Sequence, residues 1–178
     1  MTLTARAAST DDAPILAQIY NEGIEDRVGT FETRPRTVDE VRAWFDGHPI
    51  VVVEAEGLGV IAFASTSAYR ARECYAGIAE FSVYVARSQR GKGAGRVAMQ
   101  ALIAAAATAG IWKLVSRIFV ENAASRALMA AMGFREVGVY ESHAKLDGRW
   151  RDVVIVERLI TENLLSTTPA RVPRWGPR

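Results

Sequence analysis

The chain has one cysteine, Cys74, and two histidines, His48 and His143, among 178 residues. A single thiol forms no intramolecular disulfide, and one Cys with two His falls short of a four-ligand zinc site, so no metal is expected. No stretch approaches the ~18 apolar residues of a membrane-spanning helix, and residues 1–13 contain no uncharged apolar run fit for a secretory leader. Excess charge is missing too: 22 Lys+Arg against 20 Asp+Glu leave +2. That balance does not call for nucleic acid, although an arginine-rich end lifts the pI to 8.9. What remains is ordinary globular composition, 49% hydrophobic and 24% charged, in a length that suits one domain burying roughly two-thirds of its unfolded surface. The expectation is a cytoplasmic protein with no membrane or nucleic-acid partner.

Alternation and helical spacing trade places along the chain. Residues 3–7 suit a short strand. Ser9 or Thr10 caps a helix with Pro14 in its first turn and Ile15, Leu16 and Ile19 as its apolar stripe. Residues 21–36 are polar and read as loop or broken helix. Thr37 with Glu40 three residues later is a capping box, opening a helix with Val38, Val41, Trp44 and Phe45 on one side, stopped by Gly47 and Pro49. Residues 50–56 and 60–66 are β-branched and aromatic runs joined by Gly57-Leu58-Gly59, a hairpin signal. A polar link over 67–77 leads to a strand over 78–85, a Gly-rich segment over 90–96 and an alanine-rich helix over about 97–109, stopped by Gly110.

Residues 113–120 form the next strand, and Asn122 caps a helix reaching Met132, with Gly133 as its C-terminal glycine. Two closing strands, 134–146 and 152–159, flank a turn at Asp147-Gly148. A domain over 1–163 is followed by a proline- and arginine-containing tail, 164–178, without periodicity. The order is mixed α/β (α+β), without the regular alternation of a doubly wound sheet.

Gly91, Gly93 and Gly95 stand between a strand and a helix. Glycines let successive backbone N–H groups turn toward one point, and the helix that follows adds its positive dipole end. Arg90, Lys92 and Arg96 add mobile positive charge. In physical terms this is a pyrophosphate cradle. No Lys-Ser/Thr pair closes it as in a P-loop, and Arg96 stands where the Rossmann fingerprint needs its third glycine. Glycine spacing alone fits a solvated flexible loop equally well.

The segment Arg90-Gly91-Lys92-Gly93-Ala94-Gly95 resembles the pyrophosphate loop of the GNAT superfamily of N-acetyltransferases. Asn122-Ala123-Ala124-Ser125 followed by Gly133-Phe134 resembles that superfamily's second signature. More narrowly, the chain is similar to the phosphinothricin N-acetyltransferase family and its relatives acting on methionine sulfone, methionine sulfoximine and arsinothricin. The matching segments include Tyr20-Asn21-Glu22-Gly23-Ile24, Thr30-Phe31-Glu32-Thr33-Arg34, Tyr69-Arg70-Ala71-Arg72 with Tyr75, Glu80-Phe81-Ser82-Val83-Tyr84-Val85, and Lys145 with Trp150 and Asp152.

The resemblance implies a single GNAT-like domain whose central sheet, mixed and mostly antiparallel, is splayed between strands 78–85 and 113–120 to admit acetyl-CoA. It implies a β-bulge at Val83, Tyr84 and Val85, whose backbone pairs with the pantetheine arm and whose N–H near Val83 faces the thioester carbonyl. Asn122 and Ser125 would contact the same arm, a role compatible with Asn122 capping its helix. Glu80, which shares a strand face with Ser82 and Tyr84, reads on residue type alone as a solvated or ion-paired glutamate. The resemblance makes it the general base that takes a proton from the acceptor ammonium.

Arg70 and Arg72 lie at i, i+2, and in extended chain both would point one way, suiting an oxyanion head group. On composition they are surface arginines; the resemblance makes them substrate contacts. It likewise places Phe31, Glu32 and Lys145 around the acceptor and suggests a homodimer. One departure is Met129, four residues before Gly133, where phosphinothricin-type enzymes carry histidine and many GNAT enzymes tyrosine. Cys74 has no base beside it, His48 is expected at the surface, and His143 in the core or an interface. The reading implied is acetylation of the α-amino group of a small amino acid. The alternatives are another amine acceptor, such as a polyamine, an aminoglycoside or a protein N-terminus, and a CoA-binding module without turnover.

Overall fold

The computed structural model describes residues 2–165. Strand β1 (Leu3–Ala7) leads through a 3-10 turn into helix α1 (Ala13–Glu25), which enters with Pro14 in its first turn. α1 takes in the first part of the segment expected as loop, leaving 26–37 as connection. Helix α2 (Val38–Arg42) opens on the anticipated capping box: Thr37 Oγ1 accepts from Glu40 N–H, and the Glu40 carboxylate accepts from Thr37 N–H. It ends at Arg42, before Trp44 and Phe45, which pack as non-helical side chains in the cluster around Leu16 and Phe63.

The hairpin β2 (Ile50–Ala55) and β3 (Gly59–Ala68) and strand β4 (Ile78–Val85) continue the sheet. Helix α3 (Ala94–Thr108) begins three residues earlier than the alanine run suggests, because Gly93, at φ 91°, serves as its N-cap. Then come β5 (Lys113–Phe119), α4 (Ala123–Ala131), β6 (Arg135–Leu146), β7 (Arg149–Leu159) and the short α5 (Thr161–Leu164). β7 starts at Arg149 instead of residue 152, since Asp147 and Gly148, both with positive φ, make a two-residue turn. The expected tail from residue 166 onward lies outside the described residues.

All seven strands join one sheet in the order β1-β2-β3-β4-β5-β7-β6, antiparallel throughout except for the parallel β4–β5 pair. One face packs on α3 and α4 through Ala79, Phe81, Met99, Leu102 and Leu114. The other packs on α1 and α2 through Leu16, Ile19, Val41, Val52 and Phe63. β6 is the outer strand, and Val137, Val139 and Tyr140 on it are about half exposed. One of the sequence expectations fails here. His48 is buried, its ring against Asp46; a histidine next to proline looks like an exposed turn residue, but this one is covered. His143 is exposed, on a stretch of β6 where Ser142 bulges away from β7.

Candidate active site

β4 and β5 pair at only three positions, Ile78–Lys113, Ala79–Leu114 and Glu80–Val115. β5 then stays paired with β7 along its whole length, Lys113–Leu159 to Phe119–Val153, and follows that strand away from β4. A cleft of about 650 Å³ opens between residues 81–85 of β4 and residues 116–119 of β5, with the start of α3 and of α4 at its far end. The β5-facing edge of β4 beyond Glu80 therefore has no strand partner, and an extended chain can hydrogen-bond to it as an added strand would. Val83, Tyr84 and Val85 line the cleft. The bulge expected at these three residues is absent: β4 pairs with β3 in unbroken register from Ala79–Ala68 to Val85–Ala62. The gap comes from β5 leaving, not from β4 kinking.

At the far end, Gly91 (φ 74°) and Gly93 (φ 91°) hold left-handed conformations that a side chain would strain. None of the backbone N–H groups from Gly91 to Gly95 has an acceptor among the described residues; the first bonded amide is Arg96, which donates to the Gly93 carbonyl. Five free donors at the N-terminus of a fifteen-residue helix form an anion cradle. Arg90 and Arg96 line the cleft here. Arg96 has no ion-pair partner among the described residues, whereas Arg90 is held by Asp26 at 2.5 Å and donates through Nε to the Val85 carbonyl. Burial would raise the Asp26 carboxyl, but Arg90 and Arg87 together overcome it and hold it below the usual range. Lys92 is turned away, its ammonium on the Ser88 carbonyl and the Gln89 side chain. Ala94 is buried beneath the cradle. This donor set fits a diphosphate.

Asn122 and Ser125 stand on the opposite wall. Asn122 Oδ1 accepts from Ser125 N–H at 3.0 Å and caps α4, while its Nδ2 donates to the Val28 carbonyl at 2.9 Å, tying the α1–α2 connection to the cleft. Met129 is buried in the core, so position 129 contributes packing.

Glu80 sits where the strands part. Both its oxygens accept from Arg117 Nη2, each at 2.6 Å. Arg117 lines the cleft and is the principal residue the sequence reading missed. The available signal was a lone arginine in the run Leu114-Val115-Ser116-Arg117-Ile118-Phe119. On the same sheet face, Tyr84 packs against Tyr20 and Phe63 with ring centroids 4.9 and 5.5 Å away, and burial pushes its phenol far above the usual range.

The remaining residues expected around an acceptor fall into three groups. Phe31 packs edge-on against Phe119 at 4.8 Å, beside Leu146 and Val153, while the Glu32 carboxylate pairs with Arg36 at 2.7 Å. Arg70 and Arg72 lie over Tyr69 and Tyr75 respectively, two rings in edge contact at 5.8 Å, on a segment that bends into a 3-10 turn. Arg70 is within electrostatic reach of Glu80. Lys145 covers the ring of its cross-strand partner Trp150 at 4.8 Å, on the β6–β7 hairpin. Arg27 links that hairpin to the α1–α2 connection through Asp147 at 3.0 Å. Among the described residues there is no metal-holding cluster of His, Cys, Asp and Glu side chains, and no helix is long and apolar enough to cross a membrane.

Residues 2–135 match the family model described as an acetyltransferase (GNAT) domain. The chain is 34% identical over 160 residues to a phosphinothricin N-acetyltransferase of Streptomyces coelicolor, covering 86% of this chain and 94% of that one. It is 33% identical over 162 residues to an L-methionine sulfoximine/L-methionine sulfone acetyltransferase of Pseudomonas aeruginosa, covering 88% and 94%. The crystal structure of a GNAT superfamily phosphinothricin acetyltransferase from Sinorhizobium meliloti in complex with acetyl-CoA superposes with a TM-score of 0.88 at 30% identity, covering 98% of this chain and 97% of that one.

Proposed function

The chain belongs to the GNAT acetyltransferase family and uses acetyl-CoA as its co-substrate, and we propose that it transfers the acetyl group to the α-amino group of a small amino acid with a tetrahedral, polar or anionic head. Phosphinothricin, arsinothricin, methionine sulfone and methionine sulfoximine are the acceptors of that type. The observation that carries the reading is one cleft that runs from five free backbone donors at Gly91–Gly95 along the open β4 edge to Arg117, whose guanidinium holds the Glu80 carboxylate.

When bound, acetyl-CoA supplies an acyl group activated as a thioester. The N–H groups of Gly91, Lys92, Gly93, Ala94 and Gly95, with Arg90 and Arg96, would hold its diphosphate, and Val83 to Val85, Asn122 and Ser125 its pantetheine arm. An N–H near Val83 would steady negative charge developing on the thioester oxygen. An ammonium cannot attack, so Glu80 accepts its proton, directly or through a water. Phe31 and Glu32 would wall the acceptor pocket, Arg70 and Arg72 would take the anionic head, and Lys145 would approach from the last hairpin. With no cysteine–histidine pair near the cleft, direct transfer is the simplest course.

Acetylation removes the positive charge by which an amino-acid pocket recognises its ligand, so the reaction would detoxify such analogues and confer resistance, in the cytoplasm. The exposed apolar residues on the outer strand β6 support a homodimer. The test is CoA release from acetyl-CoA with a panel of acceptors. Turnover of the amino-acid analogues, exceeding that of spermidine, an aminoglycoside and a peptide N-terminus, is expected. A preference for any of the last three would overturn the acceptor assignment.

A further inference from the structure

Arg117 lies two residues past the last β4–β5 pair, on the part of β5 that borders the cleft. Its Nη2 spans both Glu80 oxygens, and among the described residues its Nη1 and Nε have no partner. The side chains are 43% and 30% exposed, and an ion pair so open to water contributes little to folding. Stability therefore gives little reason for an arginine in this apolar strand.

We infer that Arg117 and Glu80 together read the two charges of a free α-amino acid, Arg117 receiving the α-carboxylate and Glu80 the ammonium. The inference rests on the acceptor class proposed above and deepens it. An α-amino acid carries an ammonium and a carboxylate on one carbon, and a carboxylate in direct contact with a guanidinium is its complement. Binding exchanges one ion pair for two: as Glu80 turns to the ammonium, Nη2 is released, and with the unpartnered Nη1 or Nε it completes an edge on which the incoming carboxylate forks. An amine without a carboxylate would separate Glu80 from Arg117 and leave the guanidinium uncompensated, which selects against polyamines and amidated amino acids.

The experiment compares kcat/KM for methionine sulfone and its carboxamide in the wild type, Arg117→Gln and Arg117→Lys, each checked for native circular dichroism. The wild type is expected to favour the free acid by about 10- to 100-fold, the worth of a charge-assisted pair. Arg117→Gln should bring that ratio to within about 3-fold, through the KM of the acid, with the KM of acetyl-CoA unchanged. Arg117→Lys, which keeps charge without the planar fork, should fall between and supplies the result if the glutamine variant does not fold. A purely structural role would lower both substrates equally and leave the ratio alone. The comparison of ratios also cancels the different reactivities of the two amines. A ratio preserved in both variants, or a wild type indifferent to the carboxylate, overturns the inference while leaving an amine acetyltransferase. Turnover of neither compound overturns the acceptor class, and this inference with it.

Discussion

The side-chain amide of Asn122 donates to the carbonyl of Val28 at 2.9 Å while its oxygen caps α4 through Ser125 N–H. The two halves of one amide thus serve two purposes that substitution can separate. Asn122→Asp keeps the capping oxygen and should leave stability within about 0.5 kcal/mol, whereas Asn122→Ala should cost about 1 kcal/mol in denaturant unfolding. Both lose the donor to Val28 and should raise the KM of acetyl-CoA.

Gly77 and Trp112 fix the closed end of the splay. A Cβ on Gly77 would fall 1.9 Å from the indole Cε3, and the Gly77 carbonyl already accepts from Trp112 N–H at 2.8 Å. Gly77→Ala has to displace the indole from the point where β5 meets β4, and should cost about 3 kcal/mol. Tryptophan fluorescence during urea unfolding reads both the displacement and the loss.

Glu80→Gln removes the proton acceptor without changing shape. A fall in kcat of about 10²- to 10⁴-fold is expected at neutral pH, with the KM of acetyl-CoA unchanged. The deficit should narrow in alkaline medium, where the acceptor arrives already deprotonated. Full activity of the variant across pH 6–9 would remove Glu80 from the role of base.

Asp12 gives the fold a pH dependence of known sign. Its carboxylate takes two hydrogen bonds from Arg6, both at 2.8 Å, and one from Ser9 N–H at 2.8 Å. Arg6, helped by Ser9 and opposed by burial, holds its pKa below the usual carboxylate value. A depressed carboxylate stabilises above the unfolded value, about 3.9, and its contribution disappears as pH falls through the folded one. Asp12→Asn should therefore cost about 2 kcal/mol at pH 7, a difference that shrinks below about pH 4 as the native carboxylate protonates. A constant difference from pH 7 to 2.5 would contradict this.

Features with local causes were legible in the sequence. Thr37 and Glu40, Asn122 with Ser125, and the glycines at 91 and 93 act within a few residues of their own position, so spacing suffices to find them. The splay followed from the family resemblance as a location but not as a cause: the resemblance implies a bulge at residues 83–85, and only the pairing of β5 with β7 reveals why the strands separate. Arg117 stood out only as a lone arginine in an apolar run, and its pairing with Glu80 was invisible because the two lie thirty-seven positions apart, across a strand pairing that no local pattern specifies. Polarity misled at His48, which is buried with its ring against Asp46.

Acetyl-CoA binding at the start of α3 is most directly measured by titrating acetyl-CoA into isotope-labelled protein and following backbone amide resonances. Large saturable shifts at Gly91, Gly93 and Gly95, accompanied by changes along residues 83–85, are expected. Amides at 91–95 that remain unmoved at saturating acetyl-CoA would contradict the assignment of this cradle to the diphosphate.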